Sequence, residues 1–256
     1  MAPSDLEVTG SVHSWDISIG VDGPGVRFAA FLAGCPLKCR YCHSPDTQTM
    51  RSGTRRSVGD LMAEIEQYED FIGTNGGVTV TGGEPLLQPR FAGALLRMCK
   101  QNGLHTALDT SGYLGARADD ALLDATDLVL LDVKSWGEAR YRELTGRPLA
   151  PTLRFARRLA DRGMPMWIRF VLVPGLTDGP EVVEGWRASS PACRPSSASR
   201  CCRSTAWAPP STPSWASSSR CGTPSRRTRS SSRGPATVSP PTASSSHSFQ
   251  SRYYQG

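Results

Sequence analysis

The chain lacks any apolar run of the 18 or so residues that a membrane-spanning helix needs. Met1 to Gly10 has no basic segment leading into an apolar stretch, so no export signal is read there and a cytoplasmic setting is expected. In a reducing compartment cysteines serve as metal ligands or free thiols, not as disulfides. Lysine, aspartate and glutamate are all missing from Arg187 to Gly256, where ten Arg stand without a counter-charge. The formal net charge of +6 therefore comes wholly from that end. Residues 1–186 hold 19 Lys and Arg against 23 Asp and Glu, a net of −4. A mildly acidic body argues against a nucleic-acid partner and, with the missing apolar run, against a membrane partner. It suits an enzyme. The length of 256 residues is enough for one domain of moderate size with a real core.

One more absence is the most telling. Cys35, Cys39 and Cys42 stand as Cys-x3-Cys-x2-Cys with no fourth cysteine beside them. Three thiolates hold three irons of a [4Fe–4S] cluster and leave the fourth iron open to a ligand that is not protein. Zinc held by the three cysteines and His43 is the competing reading. Adjacent Cys42 and His43 strain to reach one metal, and structural zinc uses two separated ligand pairs. Cys99 lies in a helical stretch and reads as a core thiol. The second motif is Thr81-Gly82-Gly83-Glu84-Pro85. Its glycines let backbone approach a ligand closely, and Glu84 offers an acceptor for an ammonium group.

The hydrophobic pattern of residues 1–185 alternates strands with helices. Strands are expected at Arg27–Ala33, Gly77–Val80, His105–Asp109, Asp127–Val133 and Met166–Val173. Helices are expected at Val58–Phe71, Phe91–Asn102, Ala118–Ala125 and Thr152–Arg162. Such alternation argues for parallel βα units. The polar and Gly-rich motifs follow the strands, at the end where parallel barrels carry their sites.

Together the motifs resemble the radical S-adenosylmethionine (SAM) superfamily. Within it they are similar to the activases of glycyl-radical enzymes, those of pyruvate formate-lyase in particular. The resemblance runs over about residues 12–185. It rests on Asp22-Gly23-Pro24-Gly25-Val26-Arg27, the cysteine loop with Tyr41-Cys42-His43 and Asp46-Thr47, and Gly76-Gly77-Val78-Thr79 before the Gly-Gly-Glu turn. It continues through Leu108-Asp109-Thr110-Ser111-Gly112, Leu131-Asp132-Val133-Lys134, and Trp167-Ile168-Arg169-Phe170 with Val173-Pro174-Gly175.

The resemblance implies an α/β fold, a partial (β/α)6 TIM-like barrel. It implies a [4Fe–4S] cluster on Cys35, Cys39 and Cys42, with SAM held by Tyr41, Cys42, His43, Gly82, Gly83, Glu84, Asp132, Val133 and Lys134. A monovalent cation on Asp109, Thr110 and Asp132 is also implied, and so is a grip by Asp16 and Arg169 on the partner's glycine loop. The implied reaction is reductive cleavage of SAM to methionine and a 5′-deoxyadenosyl radical, which abstracts hydrogen from a glycine of pyruvate formate-lyase. Flavodoxin or ferredoxin supplies the electron. The activase of another glycyl-radical enzyme, such as anaerobic ribonucleotide reductase, is the nearest alternative. Residues 43–77 contain no cysteine, so the extra cluster modules of many such activases are absent. A plain iron–sulfur electron carrier would need neither the Gly-Gly-Glu nor the Asp-x-Lys motif.

From Arg187 onward the composition turns to Ser, Pro, Arg and Ala without helical or strand period, and residues 186–256 are expected to be a disordered tail. The four cysteines and two tryptophans (Trp207 and Trp215) that follow Arg187 fit a linker poorly. A one-base frame slip explains them. Each new codon then takes the last base of one residue and the first two of the next. Cys201 to Ala208 can so be read as Leu-Pro-Phe-His-Arg-Leu-Gly, with the Trp207–Ala208 junction forcing the glycine. That string matches the resembled family's last strand, whose His is expected to contact SAM. The barrel is thus expected to lack its sixth strand, and an inactive frameshifted product is a further alternative.

Overall fold

The computed structural model describes residues 4–179. A seven-stranded sheet in the order β3-β1-β2-β4-β5-β6-β7 organises them. The strands are β1 (Thr9–Ile19), β2 (Val26–Leu32), β3 (Thr54–Ser57), β4 (Gly77–Gly82), β5 (His105–Thr110), β6 (Leu128–Asp132) and β7 (Met166–Arg169). The helices are α1 (Val58–Glu66), α2 (Glu69–Ile72), α3 (Pro89–Gln101), α4 (Asp120–Asp124), α5 (Glu138–Thr145) and α6 (Ala150–Asp161). β2, β4, β5, β6 and β7 run parallel, as the alternating pattern requires. The expected sixth strand and the segment 186–256 lie outside the described residues.

Three elements and several boundaries depart from the sequence reading. β1 and β3 add an antiparallel flank to β2. β1 alternates too weakly to announce itself, because both of its faces are only partly covered. α5 is strongly charged and buries only Tyr141, Leu144 and Thr145. The expected helix Val58–Phe71 is two helices, α1 and α2, and β7 ends at Arg169, not at Val173.

Local chemistry sets the helix starts. Ser57 accepts from the Asp60 amide at 3.0 Å while Asp60 accepts from the Ser57 amide at 2.8 Å, a capping box that opens α1. Asp119 caps α4 by accepting from the Leu122 amide. Pro89 occupies the first turn of α3, where its missing N–H costs nothing. The main core lies between helices and sheet, where Leu61 and Ile65 of α1, Leu95 and Leu96 of α3 and Phe155 and Leu159 of α6 meet Phe28, Val80, Leu108 and Leu131.

The opposite, inner face is different. Strand register places Asp16 opposite Ala29, Ala29 beside Thr79, Thr79 beside Ala107 and Ala107 beside Leu128. Side chains two apart share a face, so Asp16, Thr81, Asp109, Asp132 and Arg169 all stand on the inner one. The apolar cluster on it is small: Ala107, Leu128 and Leu130 with Trp167. A polar inner face rising to charged groups at the C-terminal strand ends is what positions the site.

Candidate active site

The cysteine loop leaves β2 at once. Gly34 takes φ +93°, and a Cβ there would lie 2.3 Å from the Met50 sulfur and 2.7 Å from Leu87, so only glycine makes this turn. Main-chain bonds then pin the loop from three sides. The Gly34 amide donates to Thr47 O at 2.7 Å and the Cys35 amide to Gln48 O at 3.0 Å. The Lys38 and Arg40 amides donate to Thr145 O and Leu144 O, the free carbonyls at the end of α5. Cys35, Cys39 and Cys42 are free thiols, all half-buried. Burial pushes the Cys35 thiol up to about 12. Burial also raises Cys39, tempered by the nearby Lys134 ammonium.

The Gly-Gly-Glu turn is sewn to this loop. The Gly83 amide donates to Leu32 O at 2.8 Å and the Glu84 amide to Gly34 O at 2.9 Å. A Cβ on Gly83 would sit 2.3 Å from the Gly34 carbonyl oxygen, so the second glycine is required by close approach. The Glu84 side chain is fully buried. Its carboxylate accepts from Thr110 Oγ1 at 2.6 Å and Leu86 N at 3.1 Å on one oxygen, and from Ser111 N and Oγ on the other. Burial raises its pKa against those four bonds. In this arrangement both oxygens of the carboxylate are engaged in bracing β4 against β5.

The expected cation ligands do not gather as a set. Asp109 and Asp132 stand on the inner face, but strand alternation sends the Thr110 side chain the other way, to Glu84. Arg169 lies between the two acids, with Nη2 on Asp109 and Nε 2.8 Å from Asp132 Oδ1. Lys134 Nζ is 2.6 Å from the other Asp132 oxygen. Burial would raise Asp132, but Lys134 and Arg169 hold it well below the usual carboxylate range. Asp109 is raised, first by burial, with Arg169 opposing. Burial would depress Lys134, yet Asp132 holds it above the ordinary lysine value. The Tyr41 hydroxyl donates to Lys134 O at 2.6 Å, linking this row of charges to the cysteine loop.

The Val133 side chain is buried in the helix-side core, leaving only its main chain for a ligand. His43 is exposed. Asp16 shares the inner face with Arg169, and among the described residues no hydrogen bond or ion pair joins them; its carboxylate accepts from the Ile17 amide.

Among the described residues, no group of three or more His, Cys, Asp or Glu side chains converges as a single metal ion needs. A cluster makes a different demand, because each cysteine binds a different iron. Three free thiols on one pinned loop meet that demand. Cys99, the one further cysteine among the described residues, is buried in α3 and donates to Met62 Sδ.

A family model described as the radical SAM superfamily matches residues 30–184. The chain belongs to the radical SAM superfamily. The family implies a [4Fe–4S] cluster with SAM, and the three cysteines fit it. The chain is 44% identical over 182 residues to the pyruvate formate-lyase-activating enzyme of Listeria monocytogenes serovar 1/2a, covering 68% of this chain and 73% of that protein. It is 43% identical over 177 residues to the pyruvate formate-lyase 1-activating enzyme of Escherichia coli K12, covering 68% and 72%. A solved domain of a pyruvate-formate lyase-activating enzyme from Bacteroides vulgatus is similar at 32% identity and TM-score 0.40, covering 43% of this chain and 68% of that one. No described helix is long and apolar enough to cross a membrane.

Proposed function

We propose that this radical SAM enzyme activates pyruvate formate-lyase by generating a glycyl radical on it. The observation that carries the reading is the seam between Gly34 and Glu84, which makes the cysteine loop and the Gly-Gly turn one cradle. The names of the relatives support the choice of partner. When bound, the cluster and SAM supply one-electron cleavage to a 5′-deoxyadenosyl radical that takes hydrogen from a glycine α-carbon.

The chain's own residues bind and orient. Cys35, Cys39 and Cys42 hold the cluster. The main chain of Gly82, Gly83 and Glu84 receives the amino end of SAM, and Lys134 receives its carboxylate. Tyr41, Cys42 and His43, with Asp132 and the Val133 main chain, bound the adenosine side. Asp16 and Arg169, on the inner face, receive the glycine loop. A monovalent cation at Asp109 and Asp132 has to replace Arg169 between them.

The test is anaerobic reconstitution, photoreduction and addition of SAM, with pyruvate formate-lyase and anaerobic ribonucleotide reductase offered in parallel. Formation of 5′-deoxyadenosine with a glycyl-radical resonance on pyruvate formate-lyase is the expected result. No 5′-deoxyadenosine overturns the enzyme reading, and a radical on the other partner alone overturns the choice of partner.

A second reading has its own observation. The family match stops at residue 184, beside the composition change at Arg187. We propose that residues 1–185 are the radical SAM unit and that 186–256 are translated out of frame. The Leu-Pro-Phe-His strand is then lost from the product. DNA sequence across the codons for Gly185 and Trp186 tests it: an unbroken frame in independent isolates, with the 27.6 kDa mass recovered from cells, overturns it.

A further inference from the structure

The cysteine loop and the end of α5 bear a group of basic side chains that the reaction site does not use. Lys38 and Arg40 lie within that loop and are both exposed. Arg147 is tied to the same loop, its Nε donating to Pro36 O at 2.8 Å. Its guanidinium also lies 5.8 Å from the Tyr113 ring centre. The end of α5 carries the loop on its carbonyls and adds Arg140 and Arg142.

Only Glu138 and Glu143 answer these five cations within the loop and α5. Glu143 pairs with Arg40 and Arg140, and Glu138 with Arg142. Among the described residues, neither Lys38 nor Arg147 pairs with a carboxylate. Lys38 Nζ reaches only the Gln48 amide oxygen, at 3.3 Å. Residues 1–186 as a whole carry a net of −4, so this excess of positive charge is local and opposes the trend of the body.

We propose that the Lys38–Arg40–Arg147 face is the docking surface for a small acidic one-electron carrier protein. The proposal rests on the activase reading, which requires one electron per cleavage from outside the chain. A single electron leaves the carrier's reduced cofactor and enters the metal centre behind the loop, and no covalent bond forms at contact. The location follows from the chemistry. Lys38 and Arg40 flank Cys39, and Arg147 holds Pro36 beside Cys35, so a carrier seated here meets the loop that bears the cluster ligands. The inner face stays free for the second protein substrate. Charge complementarity at a rim acts mainly on association rate and its salt dependence.

The test uses the full chain with a photoreduced flavodoxin of strongly acidic surface, following association by stopped flow and cluster reduction by its absorbance. Lys38→Glu with Arg147→Glu is expected to slow association by roughly tenfold or more at low salt and to flatten its salt dependence. Arg147→Lys keeps the charge and loses the bond to Pro36, and is expected to associate normally. Arg157→Glu, a charge reversal on α6, serves as the control. Unchanged association in the double variant, or an equal loss with Arg157→Glu, overturns the proposal. Cluster reduction by photoreduced deazaflavin is expected to be the same in every variant. A chain that takes electrons from deazaflavin but cleaves no SAM defeats the activase reading alone and leaves the docking result standing.

Discussion

The Glu84 amide donates to the Gly34 carbonyl at 2.9 Å, while the Glu84 carboxylate reaches the other way to Thr110 and Ser111. One residue thus joins the cysteine loop, the end of β4 and the end of β5. Glu84→Ala keeps the amide bond and removes the acceptor for four buried donors. Stranded donors plus the cavity are expected to cost about 3 kcal/mol. Glu84→Gln preserves the shape and should lose less. Urea denaturation of the three proteins reads the difference, and equal stability of all three would show that the brace is idle.

Arg169 is the only described cation in contact with Asp109, whereas Asp132 also has Lys134. Removing one partner of a buried ion pair costs about 3–5 kcal/mol, because the other charge stays buried. Arg169→Met should therefore destabilise the fold by about 3 kcal/mol, and adding Asp109→Asn should recover part of it. A double-mutant cycle measures the coupling. If Asp109→Asn gives no recovery in the Arg169→Met background, the assigned pairing is wrong.

The five parallel strands were legible because each is a short apolar run followed by Gly or a polar turn. The cysteine loop and Gly-Gly-Glu turn were legible on different grounds: cysteines at fixed spacing point to metal ligation, and paired glycines point to close backbone approach. Two kinds of feature were hidden. β1 and α5 are only partly buried and carry little periodicity of their own. The partners of Glu84 and Arg169 depend on which face each strand residue takes. A run such as Asp109-Thr110 looks like one ligand pair until alternation separates the two side chains.

His105 supplies a pH test. Arg27 is fully buried, pairs with no carboxylate among the described residues, and sets Nη1 3.1 Å from His105 Nδ1. An arginine only donates, so His105 accepts there and is neutral in this arrangement. Burial and then Arg27 lower its pKa from the ordinary 6.5; Asp127 opposes them and Lys100 adds to them. A lowered histidine value means that the unfolded chain binds more protons below about pH 6.5. Stability is then fully present above that pH and declines as pH falls through 6.5 and below. His105→Gln should flatten the slope of unfolding free energy between pH 7 and 5. A slope that persists unchanged in the variant excludes His105 as its source.

Gly34 and Cys35 separate the shape of the cluster loop from its chemistry. A Cβ on residue 34 meets Met50 and Leu87 well inside van der Waals contact, and the backbone there sits at φ +93°. Gly34→Ala must therefore shift the loop and its bonds to Thr47 and Glu84, at an expected cost of about 1–3 kcal/mol. Cys35→Ser keeps the backbone and removes one iron ligand, so stability of the metal-free protein should be close to unchanged. Both variants should lose iron and sulfide on reconstitution, whereas Cys99→Ala should keep them because that thiol lies in the core of α3. Iron and sulfide assays beside thermal melts of the metal-free proteins distinguish the cases. Full iron loading in Cys35→Ser would remove that cysteine from the ligand set, and loss of iron in Cys99→Ala without loss of stability would add Cys99 to it.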